Sequence, residues 1–399
     1  MSKKRYNLLK GKILYTMIII LTYLICRNIP LYMIDMDIYM NVENAGGNLL
    51  LQTLGGDINQ CTILALGVSP YMIASIFVQI VMSLRGPEYR KRTSPIKNNR
   101  IIMQITLLVS IFMACVRVYD IQFAVSGRMV ILAQIVAAVE MVTGAMLIIY
   151  LSSRNKKYGI GGQSAIIFVN IVDGLLSTLV VNSDKRLALP VIISVVVLVV
   201  MIIMENSEMR RAVQRISIHN IYADKNYMAI KLNPIGVMPA MFATAFFMIP
   251  QFAVKVLAYI FYDNALIVKI KDNMDLTRPL GVGIYIIILY LLTVFFSWIM
   301  LNPREMTEQY LKSGDSIQDI HAGADTKRYL TRVILSLGMI SATVMSVCLG
   351  VPLLLQMNGI IDSELVMLPS SVMMLSGIGC SLYSEMAAVK NLQGYETFI

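Results

Sequence analysis

The stretch Ala65-Leu66-Gly67-Val68-Ser69-Pro70-Tyr71-Met72-Ile73-Ala74-Ser75-Ile76-Phe77-Val78-Gln79-Ile80 is apolar along most of its length, yet it opens with a glycine, a proline and a tyrosine. Glycine and proline interrupt helix, the first through its conformational freedom and the second through its missing N–H. The spacing therefore predicts a half-helix. A membrane helix that begins partway across the bilayer leaves backbone groups unpaired, and these are tolerated only where they face protein or a water-filled cavity. Such a break belongs beside a pathway through the membrane.

Working outward, the chain is 57% hydrophobic and 15% charged over 399 residues, with a mean hydropathy of +0.69. That composition excludes a soluble globule built on one core. Apolar runs near the ~20 residues that cross a bilayer fall at 13–33, 69–84, 101–118, 130–152, 160–181, 187–204, 236–257, 281–301, 331–351 and 364–387. The fold class read from them is an all-α polytopic membrane protein with ten transmembrane helices. Five plus five spans, an odd number in each half, place the halves in inverted orientation, as is common where a pathway runs between repeats. The halves are expected at 1–182, spans one to five, and 183–399, spans six to ten.

The net charge of +10 raises the question of a nucleic-acid partner, but the basic residues form no single patch. Most of the 34 Lys and Arg lie in 1–12, 85–100, 153–159, 205–235, 302–330 and the tail, so alternate connections are basic and both termini are expected in the cytosol. Lys3, Lys4 and Arg5 before an apolar stretch imitate a signal peptide, but no small-x-small cleavage site follows, and the segment reads as a retained anchor. The longest polar connections, about 205–235 and 302–330, read as cytoplasmic loops. Residues of about 41–64, including Gly46, Gly47, Leu50 and Cys61, are too polar to face lipid. They form either an external loop or a re-entrant plug, and their continuity with the break at Pro70 favours the plug.

Five stretches, in order along the chain, resemble the SecY family of protein-conducting channels. The half-helix reads like that family's second span. Met141-Val142-Thr143-Gly144 with Tyr158-Gly159-Ile160-Gly161-Gly162-Gln163-Ser164 is similar to the passage between its fourth and fifth spans. Asn233-Pro234-Ile235-Gly236-Val237-Met238-Pro239 matches the start of its seventh. Leu301-Asn302-Pro303-Arg304-Glu305 with Leu311-Lys312-Ser313-Gly314 follows its eighth, and Asn391-Leu392-Gln393-Gly394-Tyr395 lies at its C-terminus. The chain departs where the family usually has Arg-Pro-Gly, reading His321-Ala322-Gly323 instead. That arginine belongs to the family's surface for the motor ATPase SecA, so the departure resembles the accessory SecY of Gram-positive bacteria rather than the housekeeping form.

The resemblance implies a channel for unfolded polypeptides that hydrolyses nothing, so no enzyme activity and no cofactor is expected. Partners implied are a SecA-type motor, a SecE-like small membrane subunit or accessory Sec proteins, and a secreted preprotein, with serine-rich glycosylated adhesins as cargo. It places a pore ring at Met72, Ile76, Gln163, Ile167, Met241 and Met367. Flexible apolar side chains there would block ions by dewetting while yielding to a passing chain; with 29 Met in the chain, ordinary packing or lipid contact is the plainer reading of each. Gln79 would lie in the sideways gate, and Arg210, Arg211, Arg304, Lys312 and His321 on a motor-docking face, where the plainer reading is positive-inside anchoring. The five cysteines are scattered singly, which points to packing rather than a metal site or disulfide. The rival class is a secondary transporter with inverted repeats, whose best residue is the mid-span acid Glu140, with Arg117 as its possible ion-pair partner.

Overall fold

A computed structural model describes residues 2–34, 62–85, 94–121, 123–125, 129–181, 187–215, 227–260, 270, 273–274, 276–362 and 365–395. Helices occupy each of the ten apolar runs. In chain order they are α1 (Ser2–Arg27), α2 (Ser69–Leu84), α3 (Pro95–Asp120), α4 (Met129–Tyr158), α5 (Gly162–Val181), α6 (Ala188–Asn206), α7 (Met238–Ile260), α8 (Pro279–Leu301), α10 (Ala324–Met357) and α11 (Met367–Tyr395), with a short polar helix α9 (Pro303–Ser313) between the eighth and ninth runs. Among the described residues, eight helices are long and apolar enough to cross a membrane. The exception that matters is α2, whose 16 residues rise about 24 Å, short of the ~30 Å hydrocarbon layer.

The residues fall into two compact units, Met1–Lys185 with Ile378–Ile399, and Arg186–Gly377. In the first, α2 packs on α3, α3 on α4, and α4 on α5, while α1 lies against α4 and α5. Its core includes Leu31, Ala65, Leu66, Ala114, Val118 and Met141. In the second unit α8 packs along α10 and against α7, and α6 touches α10. Gly338 of α10 faces Ser297 of α8, where a Cβ would lie 2.9 Å from the serine Cβ. This close approach allows long seams between apolar helices without a hydrophobic driving force in lipid.

Two sequence readings are corrected. The first apolar run was expected to be helical to residue 33, but α1 ends at Arg27, because Pro30 cannot donate and restricts Ile29. Residues 28–34 run as an irregular limb in which Pro30 pairs with Thr62 and Ile34 with Phe123. The two polar connections are not simple loops. They supply β1 (Glu208–Arg215), β2 (Tyr227–Lys231) and β3 (Asp315–Ile317), which form an antiparallel sheet in the order β2-β1-β3. Met209 lies opposite Ile230, Arg211 opposite Met228 and Val213 opposite Ile317. Alternation buries Met228 and Ile230, and with Ile317, Leu330 and Leu337 they form a small core over the start of α10.

The Asn-Pro-Arg-Glu stretch owes its spacing to capping. Asn302 has φ 35° and ends α8, a left-handed conformation that Asn tolerates better than most residues. Pro303 then opens α9 at its first position, where the missing N–H costs nothing. Gly314, at φ 68°, ends α9 in the usual left-handed cap.

Candidate functional site

The approach to α2 is a buried turn. Leu64, Ala65, Leu66, Val68 and Ser69 are each at most 2% exposed, and Gly67 takes φ 54°. Its backbone is paired inside the protein, as an interrupted membrane helix requires. The Ile63 N–H donates to Ile29 O at 3.1 Å, Ala65 N–H to Thr62 O at 3.0 Å and Gly67 N–H to Leu64 O at 2.8 Å. Arg117 of α3 donates from Nη1 to the Ala65 carbonyl at 3.1 Å. Gly144 of α4, in the Thr-Gly motif, is what lets this turn sit so deep. A Cβ there would collide with Ile63 O, so any side chain would push the turn away.

On α2, Met72 is buried, as are Ala74 and Val78, which pack on Ile102 of α3. Gln79 is exposed. On α5, Gln163 is half-buried and Ile167 buried, one turn apart on one face. In the second unit Met241 of α7 is buried, next to Phe242, whose ring stands 5.4 Å from that of Phe296. Met367, half-buried, opens α11 and its sulfur lies 3.7 Å from the Ser370 hydroxyl. The Ile76 side chain and Gly46, Gly47, Leu50 and Cys61, expected in a plug, lie outside the described residues.

The five residues expected on a docking face come from two connections far apart in sequence, and the pairing of β1 with β3 joins those connections in one sheet. Arg210, Arg211, Arg304, Lys312 and His321 are all exposed. Arg210 lies 4.8 Å from the ring centroid of Tyr227 and 3.6 Å from Glu208. Arg304 reaches Glu308 one turn on, at 3.6 Å. Exposed pairs of this kind contribute little to stability.

The mid-span acid behaves differently from the sequence expectation. Glu140 does not meet Arg117; its Oε2 accepts the Tyr32 backbone N–H at 3.0 Å. Sequence reasoning also passed over Asn155, fully buried near the end of α4. Its Nδ2 donates to Ile160 O at 3.0 Å and Gly162 O at 2.9 Å. Its Oδ1 lies 2.9 Å from the Thr16 hydroxyl of α1, which accepts the Ile160 N–H at 2.9 Å. A second tie of α1 to α5 runs from Tyr23 to Asn170 at 2.7 Å and from Arg27 to Asp173 at 2.7 Å. The available signal was polarity alone: Thr16, Tyr23 and Asn170 stand in apolar runs, and Asn155 is masked by the basic residues beside it.

The SecY family model matches residues 62–383. The accessory Sec system protein translocase subunit SecY2 of Leuconostoc gelidum is 27% identical over 416 residues, 98% of this chain and 96% of that one. Its counterpart in Streptococcus agalactiae is 26% identical, with the same coverage, and that of Streptococcus pneumoniae is 25% identical over the full length of both chains. Among solved structures, a protein-conducting channel superimposes with a TM-score of 0.64 at 16% identity, covering 96% of this chain and 93% of the other. Sec61 in the canine ribosome-channel complex does so at 0.60 and 15%, with the same coverage.

Proposed function

Because this chain belongs to the SecY family, we propose that it is the channel subunit of an accessory Sec translocase, conducting unfolded polypeptides across the cytoplasmic membrane with energy from a separate motor. The carrying observation is the half-helix α2, which enters through a turn whose backbone is paired inside the protein. Near full-length similarity to subunits named for the accessory system supports that form over the housekeeping one. The transporter alternative loses its best residue, since the Glu140 carboxylate holds a main-chain N–H.

The constriction in this reading is made by Met72, Ile76, Gln163, Ile167, Met241 and Met367, with Gln79 in the sideways gate and the segment around Gly46 to Cys61 as plug. A SecE-like subunit clamps the channel, and the cargo is serine-rich glycosylated surface protein. Purifying the tagged chain from its own cells tests the whole: a motor ATPase and an exported preprotein should come with it. Recovery of neither would sink the reading.

Motor choice follows from the exposed cytosolic face. His321 presents an imidazole, whereas the family's arginine offers five donors in a planar fork and a permanent charge. A well-formed charged contact contributes ~1.5 to 3 kcal/mol. His321→Arg should therefore tighten binding of the general motor by about tenfold or more, while a dedicated accessory motor binds the natural chain. Equal affinity of the general motor for both forms would refute this account.

With both termini cytosolic, Ser94→Cys and Asp315→Cys should resist an impermeant thiol reagent added to intact cells, in a background without native cysteine. Ala124→Cys, between the third and fourth spans, should react. Labelling of Ser94→Cys or Asp315→Cys from outside would invert the topology.

A further inference from the structure

Arg117 on α3 and Glu140 on α4 are ionisable side chains within membrane-crossing helices of the first unit, and neither belongs to the proposed constriction. A charge among apolar side chains persists only where a group of opposite polarity meets it. Both meet main chain: Arg117 meets the Ala65 carbonyl at 3.1 Å and Glu140 the Tyr32 N–H at 3.0 Å. The cation faces the negative end of one peptide dipole, the anion the positive end of another.

Those two peptides lie on paired limbs. Ile63 N–H donates to Ile29 O, and Pro30 stands opposite Thr62, so residues 28–34 and 62–68 form a neck in which the chain leaves and returns side by side. The first limb is further tied by Ala124 N–H to Met33 O at 3.1 Å. Leu31 from one limb and Ala65 and Leu66 from the other are buried in one cluster with Ala114, Ala137 and Met141. The second limb runs without interruption into α2, where Met72 N–H donates to Val68 O at 3.1 Å. Met72 thus stands seven positions from the carbonyl that Arg117 holds.

We propose that Arg117 and Glu140 are positioning residues for the constriction: they pin the two limbs of the neck and so fix where α2 begins and where the Met72 side chain stands. They act through backbone, not on the passing chain. This rests on the reading of Met72 as part of the seal, and the test separates the two claims.

The full chain, reconstituted in vesicles of phosphatidylglycerol and phosphatidylethanolamine, is assayed for resting ion leak and for hydrogen exchange in the peptide containing Tyr32. Glu140→Ala should accelerate exchange of the Tyr32 amide by about tenfold or more, the loss of one charge-assisted bond, and should raise the leak. Glu140→Gln keeps an acceptor oxygen without the charge and should fall between. Arg117→Met should leak, and Arg117→Lys should recover part of the seal. Met72→Asn in the otherwise natural chain reports on the seal itself.

Unchanged Tyr32 exchange in Glu140→Ala overturns the pin. Faster exchange without leak, in a protein whose Met72→Asn form does leak, overturns the positioning role and leaves the seal reading intact. A Met72→Asn channel as tight as the parent overturns the seal reading, and the positioning role with it. If Arg117→Met does not reach the membrane, exchange in Glu140→Gln and Glu140→Ala still decides the pin.

Discussion

Replacing Met72 and Ile167 together by asparagine should turn a tight resting channel into one that conducts small ions, with a leak about tenfold or more above the parent in vesicles. Both side chains are buried, and on the proposed reading both border the narrowest part of the path. An apolar constriction excludes ions because water withdraws from it, leaving a charge nothing to solvate it. An amide on each of two helices restores hydrogen-bonding groups, and lowering the barrier by 1.4 kcal/mol already gives a factor of about ten. The control is another methionine. Met103 of α3 is 45% exposed, and Met103→Asn should leave the leak unchanged. If the double variant conducts no more than the parent, the seal lies on other residues; if Met103→Asn leaks as much, the effect is general loosening.

The second large effect is expected at Asn155. In Asn155→Leu, the carbonyls of Ile160 and Gly162 lose their donor and the Thr16 hydroxyl loses a partner. A buried group left unpaired costs ~1 to 3 kcal/mol, so the substitution should lower the unfolding free energy in detergent by about 3 to 5 kcal/mol, at the top of the range for single changes. Asn155→Asp separates hydrogen bonding from shape. It keeps the volume but turns two donors into an acceptor facing two carbonyls, and should be at least as damaging. A leucine variant as stable as the parent would show that the turn at Gly159 to Gly162 holds itself.

The membrane made much of the architecture legible. Hydrocarbon demands long apolar runs with internally paired backbone, so each run left a visible imprint, and Pro70 marked the one that is cut short. The basic connections betrayed their sheet poorly, because strands such as Glu208–Arg215 bury few side chains and alternate among charges. The end of α1 was misread because apolar Ile29 and Leu31 continue the hydropathy past the helix. At the candidate site, residue type located Arg117 and Glu140 but not their partners. Charge calls for a counter-charge in sequence reasoning, whereas a peptide N–H or carbonyl serves as well in three dimensions, and a main-chain partner carries no residue-type signature. Asn155 stayed invisible for the same reason, since two of its three bonds go to backbone.

The division of the chain into two units bears on how the molecule is made. Residues 378–399 belong with the first unit, where the Gly161 N–H donates to Glu385 at 3.0 Å and a Cβ on Gly161 would collide with Leu382. The ribosome delivers the first five helices long before these residues emerge. During that interval the turn at Gly161 has no final partner, and the N-terminal helices wait in the bilayer as an unfinished assembly. Completion of the part made first is therefore deferred until residues about two hundred positions later have been synthesised.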